Sequence, residues 1–176
     1  MANNPLVSLE KFKLFTIIPT VQATPDYAAG DVLFAPTEIP DFFPSTGASC
    51  ILKSVCIIDK QIVSTHDFTL YFTYSSTALG TINATADVSV GTLEEIQATI
   101  AVVGADWIAG GCAVSVDNAN VATITNPAVD GIGSVLQGAT WAASSKSSSI
   151  HIVGIAGETM NVASTSDLII KIGVEY

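Results

Sequence analysis

The sequence predicts an all-β protein, an antiparallel β-sandwich of jelly-roll type carrying an extended N-terminal arm. Three observations carry that expectation. Apolar residues alternate with polar ones in short runs, the runs are rich in β-branched and aromatic residues, and clusters of Gly, Asn, Ser and Asp separate them. Eight or more such runs with almost no long helical pattern read as a sandwich.

In chain order, Phe12, Leu14 and Thr16 alternate with Lys11, Lys13 and Phe15, giving a strand or extended arm that closes at Pro19. Residues 19–26 are rich in Pro and Thr and read as a linker, so the expected division is an arm over 1–25 and a sandwich over 26–176. Val32–Phe34 predicts a short strand, and Pro36, Pro40 and Pro44 predict a loop after it. Ser49–Ile58 and Asp67–Tyr74 are the next strands, the second with Phe68, Leu70 and Phe72 on one side. Around Val90–Val103, Thr92 with Glu95 resembles a capping box, so a short helix or turn is expected before a strand over 98–103. Residues 113–116, 121–124, 150–155 and 168–174 supply four more candidate strands. The last has apolar residues on both faces, the pattern of a strand that is central or covered on both sides.

The charge balance narrows function. Charged residues make up only 12% of 176, against about 25% in typical domains. The chain has six Lys, no Arg and sixteen acids, for a net charge of −10. Nucleic-acid binding draws on Lys and Arg to neutralise phosphate, so direct nucleic-acid binding is excluded, and anionic membrane surfaces are disfavoured for the same reason. No uninterrupted apolar stretch is long enough for a membrane-spanning helix. Pro19 and Glu10 speak against a cleaved signal peptide at the N-terminus. The three cysteines, Cys50, Cys56 and Cys112, imply no disulfide framework and fit synthesis in a reducing cytoplasm. Cys50 and Cys56 have even spacing with Leu52, which predicts that both thiols share one buried strand face.

A search for chemistry returns little. His66 and His151 each open a predicted strand with no sequence neighbour that would form a catalytic dyad. Asp117-Asn118-Ala119-Asn120 lacks the spacing of a calcium loop and reads as a turn, and Glu94-Glu95 as an acidic helix start. No metal spacing, phosphate loop or nucleotide fingerprint is present. The expectation is a protein that is not an enzyme, with no metal or other cofactor.

Candidate interface residues are aromatic. Phe42 and Phe43 stand between Pro40 and Pro44, where a stiff loop would lose little entropy on docking. Phe12 and Phe15 lie on the arm. Trp107 and Trp141 read as core or interface anchors, with a sugar-stacking platform as the competing role. A carbohydrate-binding jelly roll of a phage fibre or bacterial surface structure is therefore the alternative reading.

The segment Tyr27-Ala-Ala-Gly-Asp-Val-Leu33 leads into Gly47-Ala-Ser-Cys-Ile51, then a strand ending at Asp59, then Asp67-Phe-Thr-Leu-Tyr-Phe72. In this order the chain resembles jelly-roll capsid decoration (cement) proteins of tailed bacteriophage heads. The resemblance spans 27–72, with echoes at 87–91 and in the last strand, while 36–44 has no counterpart in the pattern. It implies a virion structural protein on the capsid surface, made in the host cytoplasm. Its partners would be the major capsid protein and two further copies in a homotrimer. The arm Met1–Pro25 would suit strand addition onto a neighbouring subunit.

Overall fold

The computed structural model describes residues 12–60, 66–103, 107–108, 120–124, 140–142, 147–162 and 164–176. Among these residues, ten strands and one short helix follow in chain order: β1 (Phe12–Ile17), β2 (Val32–Ile39), β3 (Ser49–Asp59), β4 (Phe68–Thr73), α1 (Val90–Leu93), β5 (Ile96–Val102), β6 (Trp107–Ile108), β7 (Asn120–Ile124), β8 (Thr140–Ala142), β9 (Ile150–Ala156) and β10 (Leu168–Glu175). One sheet runs β1-β10-β3-β7-β6, with β8 also on β3, and the other runs β2-β9-β4-β5. Every strand pairing is antiparallel. Strands β1 to β4 alternate between the sheets, β4 and β5 form a hairpin within one, and β9 and β10 return to pair with β2 and β1, which is jelly-roll connectivity.

Alternation builds the core between the sheets. Leu168, Ile170, Ile172 and Val174 of β10 are buried, as are Phe68, Leu70 and Phe72 of β4 and Ile150, Ile152 and Ala156 of β9. Each fully buried side chain of this size is worth about 1.5–3 kcal/mol relative to exposure. A second, smaller cluster of Val32, Leu79 and Val153 packs with Tyr71 and Val88. It ties the segment after β4 onto the four-stranded sheet, with Asp87 N–H donating to Leu79 O at 2.8 Å.

Several expectations change. The N-terminal boundary moves: Phe12–Ile17 is an edge strand of the six-stranded sheet, in register with β10 from Phe12↔Glu175 to Ile17↔Ile170. Val21 is buried, and its N–H donates to Thr165 O at 3.1 Å. Residues 12–25 therefore belong to the sandwich, because Phe15, Ile17 and Val21 bury their side chains in it; residues 1–11 lie outside the described residues. β2 continues through Pro36 to Ile39, where a loop was expected. It is the edge of its sheet, with register shifts on both sides of Phe34, and an edge strand tolerates a residue with no N–H to donate. The α1 cap is Ser89, whose Oγ accepts from Thr92 N–H at 3.2 Å; Thr92 is itself inside the helix. The candidate strand over 113–116 lies outside the described residues.

β3 holds a change of phase. Cys50 and Leu52 are buried, then Val55, Ile57 and Asp59. Across the pair, Val174 stands opposite Leu52 and Gly173 opposite Ser54, so Lys53 is the extra residue of a β-bulge. One inserted residue rotates the rest of the strand, and Cys56 leaves the buried face that Cys50 occupies.

Candidate interaction surface

The resemblance-bearing segment spends its polar groups inside the chain. Tyr27 is buried, and its hydroxyl donates to Leu33 O at 2.8 Å. Asp31 Oδ2 accepts from Ala28 N–H at 2.8 Å, and Gly30 takes a φ of +90° that a side chain would resist. The Tyr-x-x-Gly-Asp pattern is thus a turn locked by its own side chains.

The aromatic candidates separate into two groups. Phe42 and Phe43 are fully buried, so they are core residues and not an exposed docking loop. Pro40 and Pro44 bracket a turn in which Asp41 has a φ of 51°, and this swings both rings inward. Phe42 lies 5.2 Å from the Phe15 ring and 5.1 Å from the Phe43 ring, edge-on to the latter. Tyr176 hydroxyl donates to Phe42 O at 2.9 Å, and Phe43 N–H to Ser148 O at 2.9 Å. Phe15 joins this core as well. Trp107 stands in β6 opposite Ala122, and Trp141 in β8 opposite Cys50; their side chains lie outside the described residues.

Phe12 is different: it is 59% exposed, with Leu14 at 55% and Ile18 at 54%. These residues follow the outward parity of β1, opposite in phase to Phe15 and Ile17. Across the ladder Leu14 stands opposite Gly173 and Thr16 opposite Lys171. A Cβ at Gly173 would meet Phe12 Cζ at 2.7 Å, so the missing side chain makes room for the Phe12 ring on the outer face. Lys13 does not guard the strip. Its ammonium turns away to donate to Asp41 O at 2.8 Å and lies 4.6 Å from the Phe15 ring centre. Among the described residues β1 pairs only with β10, which leaves its other edge open. Nothing in the amino-acid pattern marks Leu14 and Ile18 as surface residues, because apolar residues occupy both parities of the segment.

Among the described residues, ionisable groups also gather around His66. His66 is buried with Nε2 3.5 Å from Asp59 Oδ2, and its Nδ1 is 3.7 Å from Glu158 Oε1. Glu158 Oε1 also accepts from Asp67 N–H at 3.1 Å. Asp59 ends β3, His66 precedes β4 and Glu158 follows β9, so the contact ties the two sheets together. His151 stands opposite Thr73, at the other end of β4, roughly 20 Å from His66 at ~3.3 Å per residue. The two histidines cannot share a site.

Two open clefts mark the surface. One, of about 340 Å³, lies between the β1 and β2 edges and is lined by Phe15–Ile18 and Thr37–Pro40, with Glu38 its one ionisable group. The other, of about 410 Å³, is lined by Thr20–Thr24, Ile82 and Thr165 and has none. Among the described residues no group of three or more His, Cys, Asp or Glu is placed to hold a metal ion, and no helix is long and apolar enough to cross a membrane. Comparisons with protein families, with characterised proteins and with solved structures find no match to this chain.

Proposed function

We propose that this chain is a virion structural protein, a capsid decoration (cement) protein that stabilises a phage head by bridging subunits of the major capsid protein. The observation that carries the reading is the apolar strip of Phe12, Leu14 and Ile18, on a sheet face and beside an open strand edge. Exposed apolar residues in a row mark a surface meant to be covered. Three half-exposed side chains would contribute only a few kcal/mol when buried, on the order of 1 kcal/mol each. Shallow contacts of that size suit a protein present in many copies on a repeating lattice, where avidity multiplies a weak single contact. The jelly-roll connectivity supports the reading by analogy, since that architecture recurs in viral capsid and lectin domains. The resemblance over 27–72 supplies the capsid, and the net charge of −10 fits a protein kept away from nucleic acid.

The test is the copy number of this chain relative to the major shell protein in gradient-purified particles from its source. Near-equal copies support the proposal. Complete absence from particles overturns it.

A further inference from the structure

We infer that this chain assembles head to tail with copies of itself, the β1 strip of one copy seating on the α1 corner of the next. The inference rests on the reading of the chain as an assembling structural protein and names its first partner.

Among the described residues the exposed large apolar ones are Phe12, Leu14, Ile18, Val90, Leu93 and Val103. Apart from Val103 they form two groups. Phe12, Leu14 and Ile18 make the strip on β1, and Val90 and Leu93, 76% and 55% exposed, make the corner where α1 enters β5. The groups lie on opposite flanks of the sandwich. β1 faces β2 across the cleft lined by 15–18 and 37–40, and β5 is the far edge of the sheet that β2 begins.

Charge makes the flanks complementary. Lys171 projects beside the strip, opposite Thr16 in the ladder, while the acid of this flank, Glu175 opposite Phe12, is already neutralised by Lys53. The corner carries Glu94 and, just before the Ser89 cap, Asp87, both exposed. None of the strands of the four-stranded sheet carries a lysine, whereas β1, β3 and β10 each carry one. A two-fold contact of strip on strip would bring Lys171 of one copy against Lys171 of the other, and corner on corner would oppose Glu94 to Glu94. Strip on corner pairs apolar with apolar and ammonium with carboxylate. That contact uses two different patches, so it is heterologous, and it closes into a ring or continues as a filament according to the rotation between copies.

Sedimentation velocity on the full chain tests the inference. The wild type is expected to self-associate in a concentration-dependent way. Leu14→Asp and Leu93→Asp should each weaken association roughly tenfold or more. An equimolar mixture of the two should form a dimer and stop there, because each variant keeps one intact half of the junction. Both positions are exposed, and circular dichroism checks that the variants fold. Lys171→Glu should also weaken association, and adding Glu94→Lys to the same chain should restore it. A wild type that stays monomeric overturns the head-to-tail contact, as does a variant mixture that stays monomeric. Either result leaves the capsid reading standing if the chain is found in particles. Self-association without presence in particles does the reverse.

Discussion

The Phe34 ring occupies the space that a side chain at Gly154 would need: a β-carbon there would stand 2.5 Å from Phe34 Cε1. Gly154 has the inward parity of β9, between the buried Ile152 and Ala156, and Phe34 is fully buried. The ring has nowhere to go. Gly154→Ala is expected to cost about 1–3 kcal/mol through overpacking, read as a fall in the denaturation midpoint with an unchanged m-value. A variant as stable as the wild type would mean that Phe34 packs elsewhere.

Phe42 offers a second measure of the core. Truncation of a buried Phe costs about 3–5 kcal/mol, so Phe42→Ala should lower the melting temperature sharply. Phe12→Ala, at an exposed position, should leave it within a degree or two while weakening association. Equal thermal effects of the two changes would contradict the inward turn of the Pro40–Pro44 loop.

The bulge at Lys53 separates the thiols. Burial pushes the Cys50 thiol up to about 12, so it stays protonated and shielded near pH 8. Cys56, rotated off the core face, is partly exposed. Peptide mapping after brief alkylation of native protein should find Cys56 modified and Cys50 intact. Equal protection of both would restore the single buried face that even spacing implies.

Alkaline pH should unfold the protein through the same region. Burial raises Cys50 from 9.0 to about 12, and burial, aided by Cys50 and Asp41, raises Tyr176 from 10.0 to about 12. Groups raised in the folded state bind their protons more tightly there than in the unfolded chain. Their contribution is whole below pH 9 and is lost as pH climbs toward 12. The melting temperature should fall over that window, and fall less in Cys50→Ala, after allowance for that variant's lower starting stability.

Much of the sheet is legible in the sequence: β4 alternates Phe68, Leu70 and Phe72 with Thr69 and Tyr71, and the β-branched runs of β9 and β10 read as strands although apolar residues occupy both of their faces. What alternation cannot carry is a single inserted residue. Nothing in Ser49–Asp59 marks Lys53 as a bulge, since the signal sits in Gly173 on a strand more than a hundred residues away. The interaction surface was half legible. Phe12 is legible as an aromatic on an amphipathic strand, whereas the burial of Phe42 and Phe43 runs against the rule that proline-bracketed loops lie outside. Their inward turn depends on Asp41 adopting a positive φ and on Tyr176 reaching back to the Phe42 carbonyl. Both are tertiary facts. The α1 corner leaves only a capping pattern in the sequence, Thr92 with Glu95, and the cap itself, Ser89, lies one turn earlier.

The β1–β10 ladder joins residues 12–17 to residues 170–175. During synthesis β1 therefore waits without its partner until β10 has left the ribosome, and the face that displays Phe12, Leu14 and Ile18 exists only after that strand arrives. At rates of about 5–20 residues per second the delay lasts some ten seconds or more. A nascent chain in that interval lacks this outer face altogether, because the Phe12 ring lies over Gly173 and both strands of the ladder are needed to build it.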